Sequence, residues 1–410
     1  MPKNDAKDLV KLSTLPAANH LKVEMAKNPP PDPTNQIQVF VQVVRNLPKF
    51  LYHYLKSRFG KRCPYQFYPK NGDDGVYPLA PGPVRLGLLS DWASDTTESD
   101  AVGALVQGHA PDYTIHLGDV YFVGTPQEVA ANFEPGIGSW PRGTAGSLAL
   151  AGNHEMYSNG RGFFEELLPR MSVRDGDVWA TQQAGFFCLE NEYWRVIGLD
   201  TGYTSRSNPF LEVLRPPDCE FRDELVAWLK NEVELGNPKD TRGLIFLSHH
   251  PYFSAFRHNF TRPAEQLREL MGKAERPVVW FWGHEHRLTI YDRTRVENGP
   301  ECWGRGIGHG GMPVDLGEPK YAEKYLLKYY DRRIRTRLGR TPVGHNGFAL
   351  LTLDGPVARA EYRDDRDTVL LEESWTLNPG TGELTRDEKT GEMLLARYEA
   401  KNSPVEGQGR

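Results

Sequence analysis

Apolar positions along the chain fall into short, branched, aromatic-rich runs separated by polar turns. Residues 84–89 (VRLGLL), 113–117 (YTIHL), 147–151 (SLALA), 195–199 (RVIGL), 243–247 (GLIFL) and 277–282 (PVVWFW) each predict a buried strand. Between them, residues 125–133 and 221–235 carry helical spacing. In the second, Leu225, Trp228, Leu229 and Val233 share one face and Gly236 stands where a cap belongs. Alternation of strand and helix predicts sheets covered by helices. Toward the C-terminus, GFALLTL, ARAEY and TVLLEESW are spaced by turn signals and read as three antiparallel strands completing a second sheet. Upstream, the proline-rich NPPPDPTNQ breaks the chain. After it, residues 36–59 place Val39, Phe40, Val43, Val44, Leu47, Leu51, Tyr54 and Leu55 at helical spacing, bent near Pro48. The division expected is an N-terminal extension over 1–80, a main domain over 81–378 and a tail over 379–410.

Composition narrows the class. Hydrophobic residues make up 39% of 410, which permits a sizeable core and excludes wholesale disorder. The formal net charge of −5 weighs against a dedicated nucleic-acid binder. Cys63, Cys188, Cys219 and Cys302 lie far apart without a C-x-x-C pair, which excludes a zinc ribbon and does not suggest a disulfide scaffold. The opening MPKNDAKDLVKLST lacks the apolar run of a secretory signal, and no stretch approaches the ~20 apolar residues of a membrane span. A cytoplasmic location is the expectation. Arg45, Lys49, Lys56, Arg58, Lys61 and Arg62 give the 36–62 segment a basic flank. Peripheral membrane contact is one reading of it, and a helix packed on the main domain is preferred.

The chemistry is written where the strands end. The run at 84–89 is followed by Ser90-Asp91-Trp92, that at 113–117 by Gly118-Asp119-Val120-Tyr121, and that at 147–151 by Gly152-Asn153-His154-Glu155. The run at 243–247 leads into Ser248-His249-His250-Pro251 and that at 277–282 into Gly283-His284-Glu285-His286. Ligands sit beyond the carboxyl ends of strands in open α/β sheets, so five ends deliver two carboxylates, an amide and several imidazoles to one rim. That donor mixture suits Mn, Fe or Zn rather than Ca or Mg alone. Each piece alone is ordinary loop chemistry, since Asn-His after a strand also makes an Asx turn and a single His is more often structural. Five in order are not. A two-metal site ~3.5–4 Å across would make hydroxide near neutral pH and clamp a phosphoryl group.

The ordered set Asp91, Gly118-Asp119, Gly152-Asn153-His154-Glu155, His249 and Gly283-His284-Glu285-His286 resembles the calcineurin-like metallophosphoesterase superfamily over residues 84–362. The spelling SDW, GDVYF, GNHE, SHHP and GHEH stands nearest its purple-acid-phosphatase-like branch. The resemblance implies an α/β fold, a four-layer α-β-β-α sandwich of two mixed sheets, to which the helix read over 36–59 adds an N-terminal helical extension, and a dinuclear centre of divalent or mixed-valence ions. It implies that Asp119 bridges, that Asn153, His249 and His284 complete the second metal site, and that Asp91 and His286 hold the first. His154 and Asp119 are then the catalytic residues, and His154 and Asn153 bind substrate; His250, read from its place after His249 alone, is a further candidate for contacting substrate from the pocket wall. For His250 a hydrogen-bonded structural role weighs evenly against substrate contact.

The chain departs from the pattern at the first metal. Many members carry Asp-x-His there, whereas the segment here is Asp91-Trp92-Ala93. Purple acid phosphatases compensate with a tyrosine three residues after the bridging Asp, a position held here by Phe122. Tyr121 substitutes only if the loop shifts by one residue, so no tyrosinate–iron is expected, and water, Asp95 or His309 are the other ways to fill the gap. Gly118-Asp119 is followed by VYFVGT, without the Asp-Arg-Gly of the Ser/Thr phosphoprotein phosphatases. The function expected is hydrolysis of phosphate esters, monoesters preferred. A phosphodiesterase or nuclease, or a scaffold that has lost catalysis, is the alternative.

Overall fold

The computed structural model describes residues 61–69, 72–205, 219–256, 259–338 and 341–389. The helix expected over 36–59 and most of the C-terminal tail lie outside them. Two large mixed sheets face each other. One has nine strands, and its middle is built from Gly347–Asp354, Val84–Leu89, Tyr113–His116 and Gly146–Ala149. The other has eight, with Trp194–Leu199, Gly243–Ser248 and Val278–Trp282 running parallel at its centre.

Strand periodicity explains the layering. Along Val278–Trp282, Val279 and Phe281 enter the core between the sheets, where they meet Leu86, Leu88, Ile115 and Leu148 of the facing sheet. Val278 and Trp280 point the other way and pack with Leu225, Trp228, Leu229 and Leu267. Those four come from the helices Asp223–Asn231 and Thr261–Met271. The outer face of the nine-stranded sheet is covered likewise, by Val102 and Val106 of Thr97–Gly108 and Val129 and Phe133 of Pro126–Phe133. Successive residues of a strand face opposite sides, and both sides are buried here, so the runs read as nearly continuous apolar text. The result is the four-layer α-β-β-α sandwich. No described helix is long and apolar enough to cross a membrane.

Three details differ from the sequence reading. The C-terminal strands Gly347–Asp354, Val357–Asp364 and Val369–Leu377 extend the sheet of Val84–Leu89. Leu384–Lys389 adds to it in antiparallel register, from Leu377↔Leu384 to Glu372↔Lys389. The ordered sheet thus runs past residue 378, because backbone pairing there needs no apolar run to announce it. Gly236 is also not the cap of its helix. The left-handed residue is Glu234 (φ 51), and a Cβ on Gly236 would stand 2.5 Å from the Leu270 carbonyl oxygen. That glycine permits close approach to the next helix.

Candidate metal centre

All five strand ends meet at one rim, and each sheet supplies part of it. Asp91, Asp119 and Asn153 follow strands of the nine-stranded sheet, and His249, His284 and His286 follow strands of the eight-stranded one. Three of these residues leave their strands in the left-handed region: Asp91 (φ 55), Asp119 (φ 70) and His284 (φ 67). Such conformations cost about 1–3 kcal/mol each and persist where the surroundings impose them. The turns also need glycine for space. A Cβ on Gly152 would lie 2.1 Å from Asp119 Oδ1, and one on Gly283 would lie 2.6 Å from Asp91 Oδ2.

The carboxylates are oriented by half. Asp91 Oδ2 accepts from Ser90 Oγ (2.8 Å) and the His284 backbone N–H (2.9 Å), which leaves Oδ1 facing the rim. Asp119 Oδ1 accepts from the His154 backbone N–H (2.9 Å), which leaves Oδ2 free to face both clusters. Asp119 thus presents a single oxygen, Oδ2, to both clusters. Glu155 sets this loop: its carboxylate accepts the backbone N–H groups of Gly152 (2.6 Å), Val120 (2.5 Å) and Asp119 (3.3 Å). Burial, then Asp119, pushes the Glu155 carboxyl up to about 8.

On one side of Asp119, Asn153 Oδ1 lies 3.2 Å from His249 Nε2 and 2.9 Å from His284 Nδ1. His249 Nε2 lies 3.3 Å from Asp119 Oδ2. Tyr157 Oη, 3.1 Å from Asn153 Nδ2, holds the amide so that its oxygen turns inward. The Leu117 carbonyl, 3.0 Å from His249 Nδ1, accepts the Nδ1–H and so turns Nε2 toward Asp119. Burial opposes a charge on His249, but Asp119 and then Asp91 outweigh it and raise its pKa to about 9. Burial likewise opposes ionisation of Asp119, and His249 and His154 hold it well below the usual range.

On the other side, Tyr121 Oη lies 2.7 Å from Asp91 Oδ1, 3.0 Å from Asp119 Oδ2 and 3.0 Å from His286 Nε2. The loop thus brings Tyr121 to the place its sequence offset left in doubt. Asp95 is exposed and does not cap its helix, a role held by Thr96. His309 turns its ring toward Gly347, whose Cβ would stand 2.8 Å from Nε2. Neither fills the gap.

This donor set fits metal ions. A phenol has one proton to give, yet Tyr121 Oη meets two carboxylate oxygens at once, an arrangement that a cation relieves. Donors that share an ion at 2.0–2.2 Å stand about 3.0–3.5 Å apart, and neighbouring donor atoms of the two clusters stand 2.7 to 3.3 Å apart. One donor atom each from Asp91, Asp119 and His249, and one each from His249, His250 and His284, group within 4.8 Å. A third group, His345, Asp364 and Asp365, differs. Arg333 answers Asp364 at 2.9 Å and Arg335 answers Asp365 at 2.6 Å, so it is an ion-pair network.

His154 and His250 complete the rim. His154 Nδ1 meets the Phe122 carbonyl oxygen at 2.7 Å, and its Nε2 stands 3.8 Å from Asp119 Oδ2. His250 Nδ1 meets Thr201 Oγ1 at 3.0 Å. The sequence reading passed over Thr201, which follows the strand Trp194–Leu199. Its one signal was position, a sixth strand end at the same rim.

A fold of this layering with two such clusters defines a metal-dependent phosphoesterase. The profile of the calcineurin-like phosphoesterases (Metallophos) matches residues 84–288, half of the chain, and the chain belongs to that family. It is a hydrolase of phosphoric esters by family and by site. No curated protein is significantly similar in sequence. Among solved structures, GAP50, described as the anchor in the inner membrane complex of Plasmodium, shares 15% identity over 74% of this chain and 91% of its own, at a TM-score of 0.47. Purple acid phosphatase PPD1 from yellow lupin (Lupinus luteus) seeds shares 14% over 73% and 54%, at 0.47, so this chain spans about half of it. PhoD shares 10% over 80% and 73%, at 0.48. The three stand level, and the purple-acid-phosphatase branch expected from motif spelling is not preferred over the others.

Proposed function

We propose that the chain is a phosphomonoesterase with two metal ions that share Asp119. The observation that carries this is the pair of donor clusters meeting at Asp119 Oδ2, with His154 Nε2 3.8 Å from that oxygen. Asn153, His249 and His284 would hold one ion with Asp119. Asp91, His286 and Tyr121 would hold the other, with the phenol oxygen standing in for the missing histidine. When bound, the ions supply Lewis acidity and an activated water.

The chain's own residues orient and protonate. Glu155 fixes the loop that carries Asp119, and Tyr157 fixes the amide of Asn153. His154 donates Nδ1–H to the Phe122 carbonyl, so its neutral ring has a bare Nε2. To hand a proton to the leaving oxygen it must carry protons on both nitrogens. Its ring is walled by Tyr121, Phe122 and Tyr157 at centroid distances of 4.5, 5.5 and 4.9 Å. Such a close wall suits a small phosphoryl group more than a polymer backbone, and the net charge of −5 points the same way. The scaffold alternative rested on the missing ligand, and Tyr121 Oη at that place supports the enzyme reading.

The test is hydrolysis of p-nitrophenyl phosphate and bis-p-nitrophenyl phosphate by the Mn- or Zn-loaded protein. Monoester turnover is expected to exceed diester turnover. Turnover of the diester alone would make the protein a phosphodiesterase. Loss of His154 is expected to slow an alkyl phosphate more than a nitrophenyl one, because nitrophenolate leaves without a proton. Equal losses would remove the acid role.

A further inference from the structure

His249 and His250 are neighbours at the end of one strand, yet their rings meet opposite partners. The Nδ1 of His249 faces a carbonyl oxygen, which only accepts, so the proton sits on Nδ1 and Nε2 is a ligand. The Nδ1 of His250 faces the hydroxyl of Thr201 at 3.0 Å. That hydroxyl already accepts the His250 backbone N–H at 3.1 Å. Thr201 is buried, so its own proton needs an acceptor. Among the described residues His250 Nδ1 is the one acceptor within its reach. The hydroxyl therefore donates to Nδ1, and the ring carries its proton on Nε2.

We propose that His250 donates its Nε2–H to a phosphate oxygen of the substrate, and that Thr201 is the positioning residue that fixes this tautomer. His250 is then not a further metal ligand, although its donor atom groups with those of His249 and His284. The inference rests on the phosphoesterase reading and adds a residue to it. Its ring lies 4.8 Å from that of His284 and 4.8 Å from that of Phe260, against the second cluster of donors. No described residue bonds Nε2. With the Thr201 hydroxyl donating to Nδ1, the ring is neutral. A neutral N–H suits the place, because phosphate dianion oxygens only accept and a bare nitrogen would repel them. A protonated Nε2 has no lone pair for an ion.

The test uses the full-length zinc-loaded protein labelled with ¹⁵N-histidine. Long-range ¹H–¹⁵N spectra report which ring nitrogen bears the proton, and His250→Gln assigns the signal. The expected result is a proton on Nε2, retained in Thr201→Ser and redistributed in Thr201→Val. Inorganic phosphate, titrated as an inhibitor, is expected to bind about tenfold or more weakly to His250→Leu. His250→Gln, which keeps an N–H near the same place, retains most of the affinity, and zinc content is unchanged in both. A proton on Nδ1, or loss of zinc from His250→Leu, would overturn the proposal while leaving the phosphoesterase reading intact. A wild type that keeps its zinc but neither binds phosphate nor turns over any ester would overturn both.

Discussion

Two buried clusters of charge show what separates a strut from a site. Between the sheets, Glu373 is gripped by Arg305 through two bonds of 2.5 and 2.7 Å, by Arg386 at 2.5 Å and by Tyr362 Oη at 2.7 Å. The spare guanidinium nitrogen of Arg305 reaches the carbonyls of Tyr291 and Gly304. Donors and acceptors are matched there, and the cluster is closed. At the rim, Asp91 and Asp119 are equally buried, but each has one oxygen tied down and one turned toward a common space, where a single phenol is shared between them and His249 answers Asp119 only while it is protonated. That cluster is open. Burial alone does not mark a functional group; what marks it is acceptor capacity left unanswered by the protein.

The contrast is sharpest under mutation. Asp119→Asn is expected to abolish turnover and lower the content of both ions, since both clusters share its Oδ2. Metal analysis and p-nitrophenyl phosphate hydrolysis check this, and an active variant would break the shared-oxygen account. Glu373→Ala is expected to cost about 3–5 kcal/mol of stability, because it deprives the buried Arg305 guanidinium of its carboxylate, while the folded fraction keeps its metals. Urea unfolding measures the first and metal analysis the second.

Tyr157→Phe is milder. Without the hydroxyl, the Asn153 amide is free to turn, and affinity for one of the two ions is expected to fall by about 10–100-fold. Calorimetric titration would show one weakened site and one unchanged, and two unchanged sites would remove Tyr157 from the account.

The smallest effect is a difference in pH response. The Glu373 carboxyl is held below its ordinary value by Arg305 against the pull of burial. Its contribution to stability is full above the unfolded value and is lost as pH falls through the folded one. His249 is raised from 6.5 to about 9. In the metal-free protein its contribution is full below 6.5 and is lost as pH rises through about 9. An ion must displace that proton, so affinity is expected to rise with pH up to about 9, with proton release detectable in buffers of different ionisation enthalpy. Release of no protons at pH 7 would contradict a charged His249.

Much of this was legible in the text. The six buried strands announce themselves because both faces of each are covered, so apolar residues run on without interruption. The candidate ligands follow because strand ends converge by topology, and a residue just past such an end has little choice of direction. Legibility fails where direction is set by loop dihedrals. Tyr121 and Phe122 differ by one position, and only the path of the loop decides which ring reaches Asp91. Thr201 follows an ordinary strand, and nothing in Asp200-Thr201-Gly202 distinguishes a hydroxyl that orients an imidazole from one that closes a turn. Glu155 is visible in GNHE, but not its grip on three backbone amides.

The rim draws its donors from both sheets, with residues 91–153 on one and 249–286 on the other. An ion seated there is therefore also a rivet across the sandwich, and its binding energy counts toward keeping the two halves closed. At a free concentration a hundred times Kd, that is about 2.7 kcal/mol per site. A cell starved of the metal would hold a protein that is idle and also easier to open and degrade. Abundance of the enzyme, and not only its turnover, should then follow metal supply.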